Sequence, residues 1–301
     1  MGKYRALRGQ RTYRRNPVRH NPQRNPQPRP QISLKAPHSE FPLLEKIVLF
    51  DTNCFLDEIN GSPFVDETRL RSLLLQDPKA YIPDSVLSEL VSKDRNVIAR
   101  HYQSASLGDK VIGNIDPRLT GKKEMKILDS INIRYGNNPD YGKIRIDLAL
   151  AYKRLEDSAF KNLVDRQRRA VSEEDYLNKK RILDNEREDI LFRYLVNAAM
   201  EVARYVYKRD GSQSHNIIYD AYTCALAHYI SMKSGRKVEL VTRDGDVFGK
   251  NGIYERMKDK LSGRLGNRDY KSPVEERMLK ELTGRKIKGV RTVELREYLA
   301  A

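Results

Sequence analysis

Acidic residues follow two short apolar segments of this sequence. Asp51 comes directly after the run at 47–50, and Asp244 and Asp246 come just after the run at 238–242. Such runs, ended abruptly by polar residues, are typical of buried strands in a parallel sheet. Because ligands of an open parallel sheet bind beyond the carboxyl ends of its strands, these carboxylates are expected at one edge of the sheet. The alternative is that they are turn residues, since Asp-Thr-Asn and Asp-Gly are both turn signals.

Two further acids occupy positions that are expected to be buried in helices. Glu89 lies among apolar residues in the segment 85–91, and Asp220 has the small residues Cys224 and Ala227 four and seven positions further on. A charge is costly to bury, so each carboxylate needs a cation or a network of hydrogen bonds around it. Carboxylate oxygens are ligands that hard cations such as Mg²⁺ and Mn²⁺ prefer. A salt bridge to one of the many arginines is the alternative for each acid.

The segments that carry these acids resemble, in the same order, the successive motifs of PIN-domain nucleases. They are Asp-Thr-Asn after the first strand, Ile-Pro-x-x-Val-Leu-x-Glu-Leu, Asp-Ala-x-x-x-Ala-Leu-Ala, and Leu-Val-Thr-Arg-Asp-x-Asp-Val-Phe. Each motif alone is weak, whereas four of them in the family's order are a strong signal. The resemblance covers about 44–102 and 214–250, which is less than half of the chain.

The resemblance implies a metal-dependent nuclease that hydrolyses phosphodiester bonds and leaves 5′-phosphate and 3′-hydroxyl ends, with RNA favoured over DNA as substrate. Catalysis and the binding of one or two Mg²⁺ or Mn²⁺ ions would fall to Asp51, Glu89, Asp220 and Asp244, with Asp246 as a further candidate ligand. Paired ions of this kind activate water and stabilise the leaving oxygen. Hydrogen bonds that orient the ligands are implied to come from Thr52, Asn53 and Thr242.

The order of the elements predicts an α/β fold with a mainly parallel sheet, because strand segments alternate with helical ones. Together with the resemblance, this order indicates a PIN-like three-layer α/β/α domain over 41–260. Within it, the charged segment 105–215 is much longer than the corresponding link in compact members of the family. Apolar spacing and the acidic start after Ser172 predict two helices there, at about 143–170 and 173–209, which form a hairpin insertion.

The last part of the chain, 261–301, is predicted to be a helical extension of the domain. Ser272 followed by Pro273 indicates a helix start, because proline is favoured at the first helical position. A short strand is a candidate at 286–291, ahead of a final helix. This segment lies outside the resemblance, so the family implies nothing about its function.

The first 40 residues form a strongly basic segment with the composition of a disordered chain. They contain ten lysines and arginines, one acid and six prolines, and they carry +9 of the formal charge of +16. Little apolar surface is available to offset the entropy of ordering, so we expect disorder. Such an arm binds phosphate backbones with little sequence preference, here through candidate contacts at Arg5, Arg8, Arg11, Arg14, Arg15 and Arg19. A solubilising or targeting extension is the alternative.

Composition argues against several other classes of protein. The longest apolar runs span four or five residues, far short of the ~18 that suggest a membrane span, so no membrane partner is expected. The two cysteines, Cys54 and Cys224, are too few for a disulfide framework. They fit a reducing, intracellular compartment, and we expect a cytoplasmic protein.

Two functions remain open from the sequence. The first is a metal-dependent endonuclease that acts on RNA or, as the less favoured substrate, on structured DNA. The second is a non-catalytic scaffold that binds RNA or the ribosome. The acids favour the enzyme, because a pure binder has no need to concentrate negative charge against phosphate. Nucleic acid is therefore the expected partner, with an inhibitor protein or a second copy of the chain as further candidates.

Overall fold

The computed structural model describes the body of the chain in a series of segments. The described residues are 36–37, 45–59, 73–74, 76–86, 89, 110–113, 141–168, 172–209, 217–247, 249, 251–263, 272–284 and 289–300. They belong to one compact unit that spans Ile32–Ala301. The predicted disordered tail falls outside the described residues up to position 35. Its candidate phosphate contacts, from Arg5 to Arg19, therefore stay predictions.

A five-stranded parallel sheet forms the centre of the described structure. Its strands are β1 Lys46–Phe50, β2 Ala80–Pro83, β3 Val111–Ile112, β4 Lys237–Thr242 and β5 Val290–Glu294. They lie side by side in the order β3-β2-β1-β4-β5, and every neighbouring pair is parallel. The register pairs Phe50 of β1 with Val241 of β4, so both strands end at the same edge. The predicted α/β class and parallel sheet are confirmed.

The described helices lie in the connections between the strands and after the last strand. They are α1 Thr52–Ile59, α2 Tyr141–Arg168, α3 Glu173–Arg209, α4 Ile217–Ser234, α5 Ile253–Leu261, α6 Pro273–Gly284 and α7 Leu295–Ala300. Residues 84–86 and 89, just after β2, are also helical. Within the described part of the chain, no helix combines the length and the apolar character that crossing a membrane requires.

The first strand shows how the sheet divides the core. Ile47 and Leu49 belong to a large apolar cluster that includes residues of α3, α4 and α5. Val48 and Phe50 belong to a second cluster, which includes residues of α1 and α7. Successive strand residues face opposite sides of a sheet, so helices cover both faces of this one. The arrangement is compatible with a three-layer α/β/α fold.

The segment 105–215, expected to be an insertion, contributes to the core as well as to the surface. β3 lies within it and pairs with β2 at one edge of the sheet. Helices α2 and α3 pack against each other, and α3 begins where predicted, with Ser172 accepting a hydrogen bond from the Asp175 amide. The first part of α3 is mostly exposed up to residue 187, whereas its second part is buried from Ile190 to Tyr207 at most positions.

The C-terminal segment, expected to be a helical extension, also completes the sheet. α6 begins at Pro273 as predicted, and the hydroxyl of Ser272 accepts a hydrogen bond from the Glu275 amide. β5 pairs with β4 along five positions and forms the edge of the sheet opposite β3. This strand begins four residues later than the candidate at 286–291. Residues 261–301 thus add an edge strand as well as helices.

Candidate acidic site

Asp51 lies at the carboxyl end of β1 and is held by β4. Its backbone N–H donates to the carbonyl of Val241 at 2.9 Å, which extends the pairing of the two strands by one residue. Its carboxylate Oδ2 accepts a hydrogen bond of 2.7 Å from Thr242 Oγ1. Both side chains are buried. The end of the sheet therefore fixes the position and the orientation of this carboxylate.

Hydrogen bonds of its backbone and of both carboxylate oxygens fix Asp244 in the loop after β4. Its backbone N–H donates to Thr242 Oγ1 at 3.0 Å, and its Oδ2 accepts from Asn53 Nδ2 at 3.2 Å. Its Oδ1 accepts from the Asp246 backbone N–H at 2.8 Å. Thr242 thus donates to Asp51 and accepts from Asp244, which links the acids that follow the two central strands.

Glu89 reaches the same edge from the helix after β2. The hydroxyl of Thr52, the first residue of α1, donates to Glu89 Oε2 at 2.6 Å, and both side chains are buried. Because Thr52 directly follows Asp51 in the chain, this hydrogen bond brings Glu89 beside the end of β1.

The helix that carries Glu89 is tied to the helix that carries Asp220. The hydroxyls of Ser85 and Thr223 form a buried hydrogen bond of 2.9 Å between the two helices.

At the start of the helix after β2, Asp84 packs against Gly113, which follows β3. A Cβ at Gly113 would come within 2.0 Å of the Asp84 carboxyl carbon, and the φ angle of Gly113 is +144°. A glycine there therefore permits the close approach.

Asp220 lies in the first turn of α4, a helix buried along most of its length. Its carboxylate Oδ2 accepts a hydrogen bond of 2.5 Å from the phenol of Tyr207, near the end of α3. Among the described residues, neither oxygen of Asp220 forms an ion pair with a lysine, arginine or histidine. The carboxylate is thus buried with a neutral donor as its hydrogen-bond partner.

The charges of these acids act on one another. Burial raises the pKa of Asp51 to about 6; the hydrogen bond from Thr242 opposes this effect, and the charges of Glu89 and Asp244 add to it. Burial also raises the pKa of Asp220 well above its usual range, and the charges of Asp51 and Glu89 reinforce the shift. Like charges that lie close together have this effect. We call Asp51, Glu89, Asp220 and Asp244 the acidic cluster.

Asp246 follows Asp244 in the loop after β4, and its charge acts on Tyr207 of α3. Burial raises the pKa of the Tyr207 phenol, with further contributions from the charges of Asp220, Asp244 and Asp246. The phenol therefore stays protonated and acts as a donor. Tyr207 was not among the residues predicted for the site, because a tyrosine near the end of a long helix has no local signal for the carboxylate that it contacts. Only the packing of α3 against α4 shows which carboxylate it meets.

The donor set of the acidic cluster fits a hard divalent cation in chemical type. Its side chains offer carboxylate oxygens, and the nearby thiols of Cys54 and Cys224 have raised pKa values, first through burial and then through the charge of Asp51 or Asp220. A neutral thiol is a poor metal ligand, so the carboxylate oxygens are the expected ligands. As the side chains stand, no group of three or more His, Cys, Asp or Glu in the described part of the chain could hold a metal ion. Binding would thus require the carboxylates to move closer together.

The structure brings together the acids and the orienting residues that the sequence singled out. Asp51, Glu89, Asp220 and Asp244 interact with one another, and their hydrogen-bond partners include Thr242, Thr52 and Asn53. In comparisons with known proteins, no family model, curated protein or solved structure matches this chain.

Proposed function

We propose that this protein is a metal-dependent nuclease of the PIN type that hydrolyses phosphodiester bonds, with RNA as the favoured substrate. The observation that carries the proposal is the gathering of four carboxylates from two strand ends and two helices at one edge of a parallel sheet; three of them are buried and Asp244 is partly buried. Burial raises the pKa of Asp51 and Asp220, and the charges of the neighbouring acids add to the shift. Such a concentration of negative charge calls for a cation, because burying carboxylates together without one is costly.

In this proposal, the acidic cluster holds one or two Mg²⁺ or Mn²⁺ ions, with Asp246 as a further candidate ligand. The bound cation would supply a water activated at neutral pH and stabilisation of the leaving oxygen. Thr242, Thr52 and Asn53 would keep their carboxylates in fixed orientations, as hydrogen-bond partners of metal ligands do. The acids also repel phosphate when no cation is present, so substrate binding is expected to depend on the metal.

The order of the motifs is the second support for a PIN-type domain. Asp51 follows β1, and Glu89 lies in the helix after β2. Asp220 lies in the first turn of α4, and Asp244 follows β4. Each motif that resembles the family therefore contributes one carboxylate to the acidic cluster. A scaffold that binds RNA without cleaving it has no use for this arrangement, so the enzyme is the favoured interpretation.

The test is a cleavage assay of the purified full-length protein on end-labelled RNA and DNA panels with Mn²⁺, Mg²⁺ or EDTA. We expect cleavage of RNA with either cation, none in EDTA, and products that carry 5′-phosphate ends. Glu275→Gln is the matched control for the acid variants, because Glu275 is a buried carboxylate of α6 that bonds to Tyr194 instead. Cleavage that persists in EDTA would rule out the metal mechanism. RNA binding without cleavage under any condition would favour the scaffold.

A further inference from the structure

The hydrogen-bond donors of the acidic cluster come from two parts of the chain. Thr242, Thr52 and Asn53 belong to the segments that resemble PIN domains. Tyr207, the donor to Asp220, belongs instead to α3, in the segment 105–215 that lies outside the resemblance. One carboxylate of the cluster therefore depends on a helix whose function the family resemblance leaves open.

The contact between Tyr207 and Asp220 is short and enclosed. Tyr207 is 5% exposed and Asp220 is 7% exposed. The phenol donates to Oδ2 at 2.5 Å, whereas no donor among the described residues reaches Oδ1. The charges of Asp244 and Asp246 also act on the phenol, so Tyr207 faces the cluster. It therefore occupies the α3 side of the acidic site.

We propose that Tyr207 is a positioning residue for cation binding: its phenol holds Oδ2 of Asp220 and leaves Oδ1 available as the ligand oxygen. This inference rests on the proposed function, since it assigns a residue toward the same metal site. It makes the second part of α3 a component of the site. A carboxylate held in one orientation loses less rotational freedom when it binds a cation, so its affinity is higher.

The same helix provides a matched control for this role. Tyr194, thirteen residues before Tyr207, donates to Glu275 Oε1 at 2.7 Å and is also 5% exposed. Arg145 lies 3.0 Å from the same carboxylate oxygen, so this pair already has its cation. Tyr194→Phe and Tyr207→Phe each remove one phenol oxygen from a buried phenol–carboxylate pair of α3. Only the second change touches the acidic cluster.

The test is isothermal titration calorimetry of Mn²⁺ into the full-length protein, with thermal unfolding in EDTA as the check on folding. Tyr207→Phe is expected to weaken Mn²⁺ binding by about 10- to 100-fold, the range for hydrogen-bond partners of metal ligands. Tyr194→Phe is expected to change it by less than about twofold. In the cleavage assay, Tyr207→Phe should raise the Mn²⁺ concentration needed for half-maximal rate, while the rate at saturating Mn²⁺ stays close to that of the wild type.

The outcomes separate this inference from the proposed function. Unchanged or tighter Mn²⁺ binding by Tyr207→Phe overturns the role of Tyr207 and leaves the metal site in place. Failure of the wild-type protein to bind Mn²⁺ overturns the metal site and this inference with it. If the Phe variant does not fold, Tyr207→Gln keeps a hydrogen-bond donor, and its affinity should lie between those of the wild type and Asp220→Asn. An affinity no better than that of Asp220→Asn would count against the role of Tyr207.

Discussion

Carboxylates in two regions of the described structure have different surroundings. In the helical layer, the buried Glu275 and Glu188 and the partly buried Glu281 each accept a hydrogen bond from a tyrosine and also pair with a basic side chain. These groups are Tyr152–Glu281 with Arg187, Tyr194–Glu275 with Arg145, and Tyr229–Glu188 with Lys233. At the edge of the sheet, Tyr207 donates to Asp220 in the same way, but no basic side chain among the described residues pairs with that carboxylate.

The difference indicates what Asp51 and Asp220 lack. A buried carboxylate with both a phenol and a cation is compensated within the protein, whereas Asp220 and Asp51 have neutral donors and acidic neighbours. A group that is left without a counter-charge in a fold that supplies one elsewhere is a candidate functional site. In our proposal, a divalent cation balances the charge of the acidic cluster, as Arg145, Arg187 and Lys233 balance the glutamates of the helical layer.

The largest expected effect is on cleavage. Asp51→Asn and Asp220→Asn keep the size of each side chain but remove the ligand charge, so cleavage should fall by more than about 100-fold, beyond the cost of losing a mere hydrogen-bond partner of a ligand. Glu275→Gln makes the same chemical change in a compensated group, and its cleavage rate should stay within a few fold of the wild type. Equal losses in all three variants would erase the distinction between the two kinds of carboxylate.

The next effect is on stability, where removal of the partner cation from a compensated group should be costly. Arg145→Met leaves the buried Glu275 carboxylate with Tyr194 but without its cation. We expect the free energy of unfolding to fall by roughly 2–4 kcal/mol, since an uncompensated buried charge is expensive. Urea unfolding in EDTA at pH 7 measures the change. A loss well below 1 kcal/mol would show that Arg145 contributes little compensation.

Removing a charge from the acidic cluster should instead stabilise the metal-free protein. Because burial and neighbouring acids raise the pKa of Asp51 to about 6, its ionisation destabilises the metal-free fold at pH 7. Asp51→Asn should therefore raise the free energy of unfolding in EDTA, by roughly 1–3 kcal/mol. Saturating Mn²⁺ should reverse the ranking, since only the wild type gains the full binding energy. A less stable Asn variant in EDTA would contradict the raised pKa.

The pH dependence follows from the same shift. The folded pKa of Asp51 lies above its usual value of 3.8, so its contribution to stability is present below pH 4 and is lost as the pH rises to about 6. His228 acts in the opposite direction, because burial lowers its pKa to about 4. The difference between Asp51→Asn and the wild type removes the His228 effect. The difference in the free energy of unfolding should grow between pH 4 and 6 and then level off. A difference that does not change with pH would contradict the raised pKa of Asp51.

The sequence predicted the strands of the fold better than it predicted which side chains contact one another. Strand segments at 47–50, 80–82 and 238–242 were confirmed within one or two residues, because buried parallel strands have a short, continuous apolar signal. The rule that ligands bind at the carboxyl ends of parallel strands was enough to place Asp51 and Asp244 at one edge. β3 was missed, because a two-residue strand has no periodicity to detect.

The rest of the site depends on tertiary contacts that one sequence does not encode locally. The apolar pattern of α3 did not single out Tyr207, and any of several acids could have met it. The same holds for the cations of the helical layer, since Arg145 and Glu275 are far apart in the chain and are joined only by the packing of α2 against α6. The sequence therefore indicates which acids are expected to be buried, but not which of them pair with a basic side chain.

The smallest expected effect on catalysis concerns the basic tail. Ala36 is buried and its N–H donates to Asp189 Oδ1 at 2.6 Å, so a truncation should begin at residue 36 to keep this contact. Each tail residue that meets a phosphate contributes about 0.7–0.9 to the log–log salt slope of binding. The truncated protein should bind RNA with a shallower slope, while turnover at saturating RNA changes little. An unchanged slope would assign the tail to targeting or to a protein partner.

In the proposed mechanism, a divalent cation compensates the charge of the acidic cluster. Anomalous diffraction at the manganese absorption edge, from crystals of the full-length protein soaked in Mn²⁺, tests it most directly. We predict a peak in contact with the carboxylates of Asp51 and Asp220, and no peak there in crystals of the Asp51→Asn, Asp220→Asn double variant. Mn²⁺ peaks that occur only elsewhere on the protein, at concentrations that saturate binding in solution, would show that the acidic cluster is not the metal site.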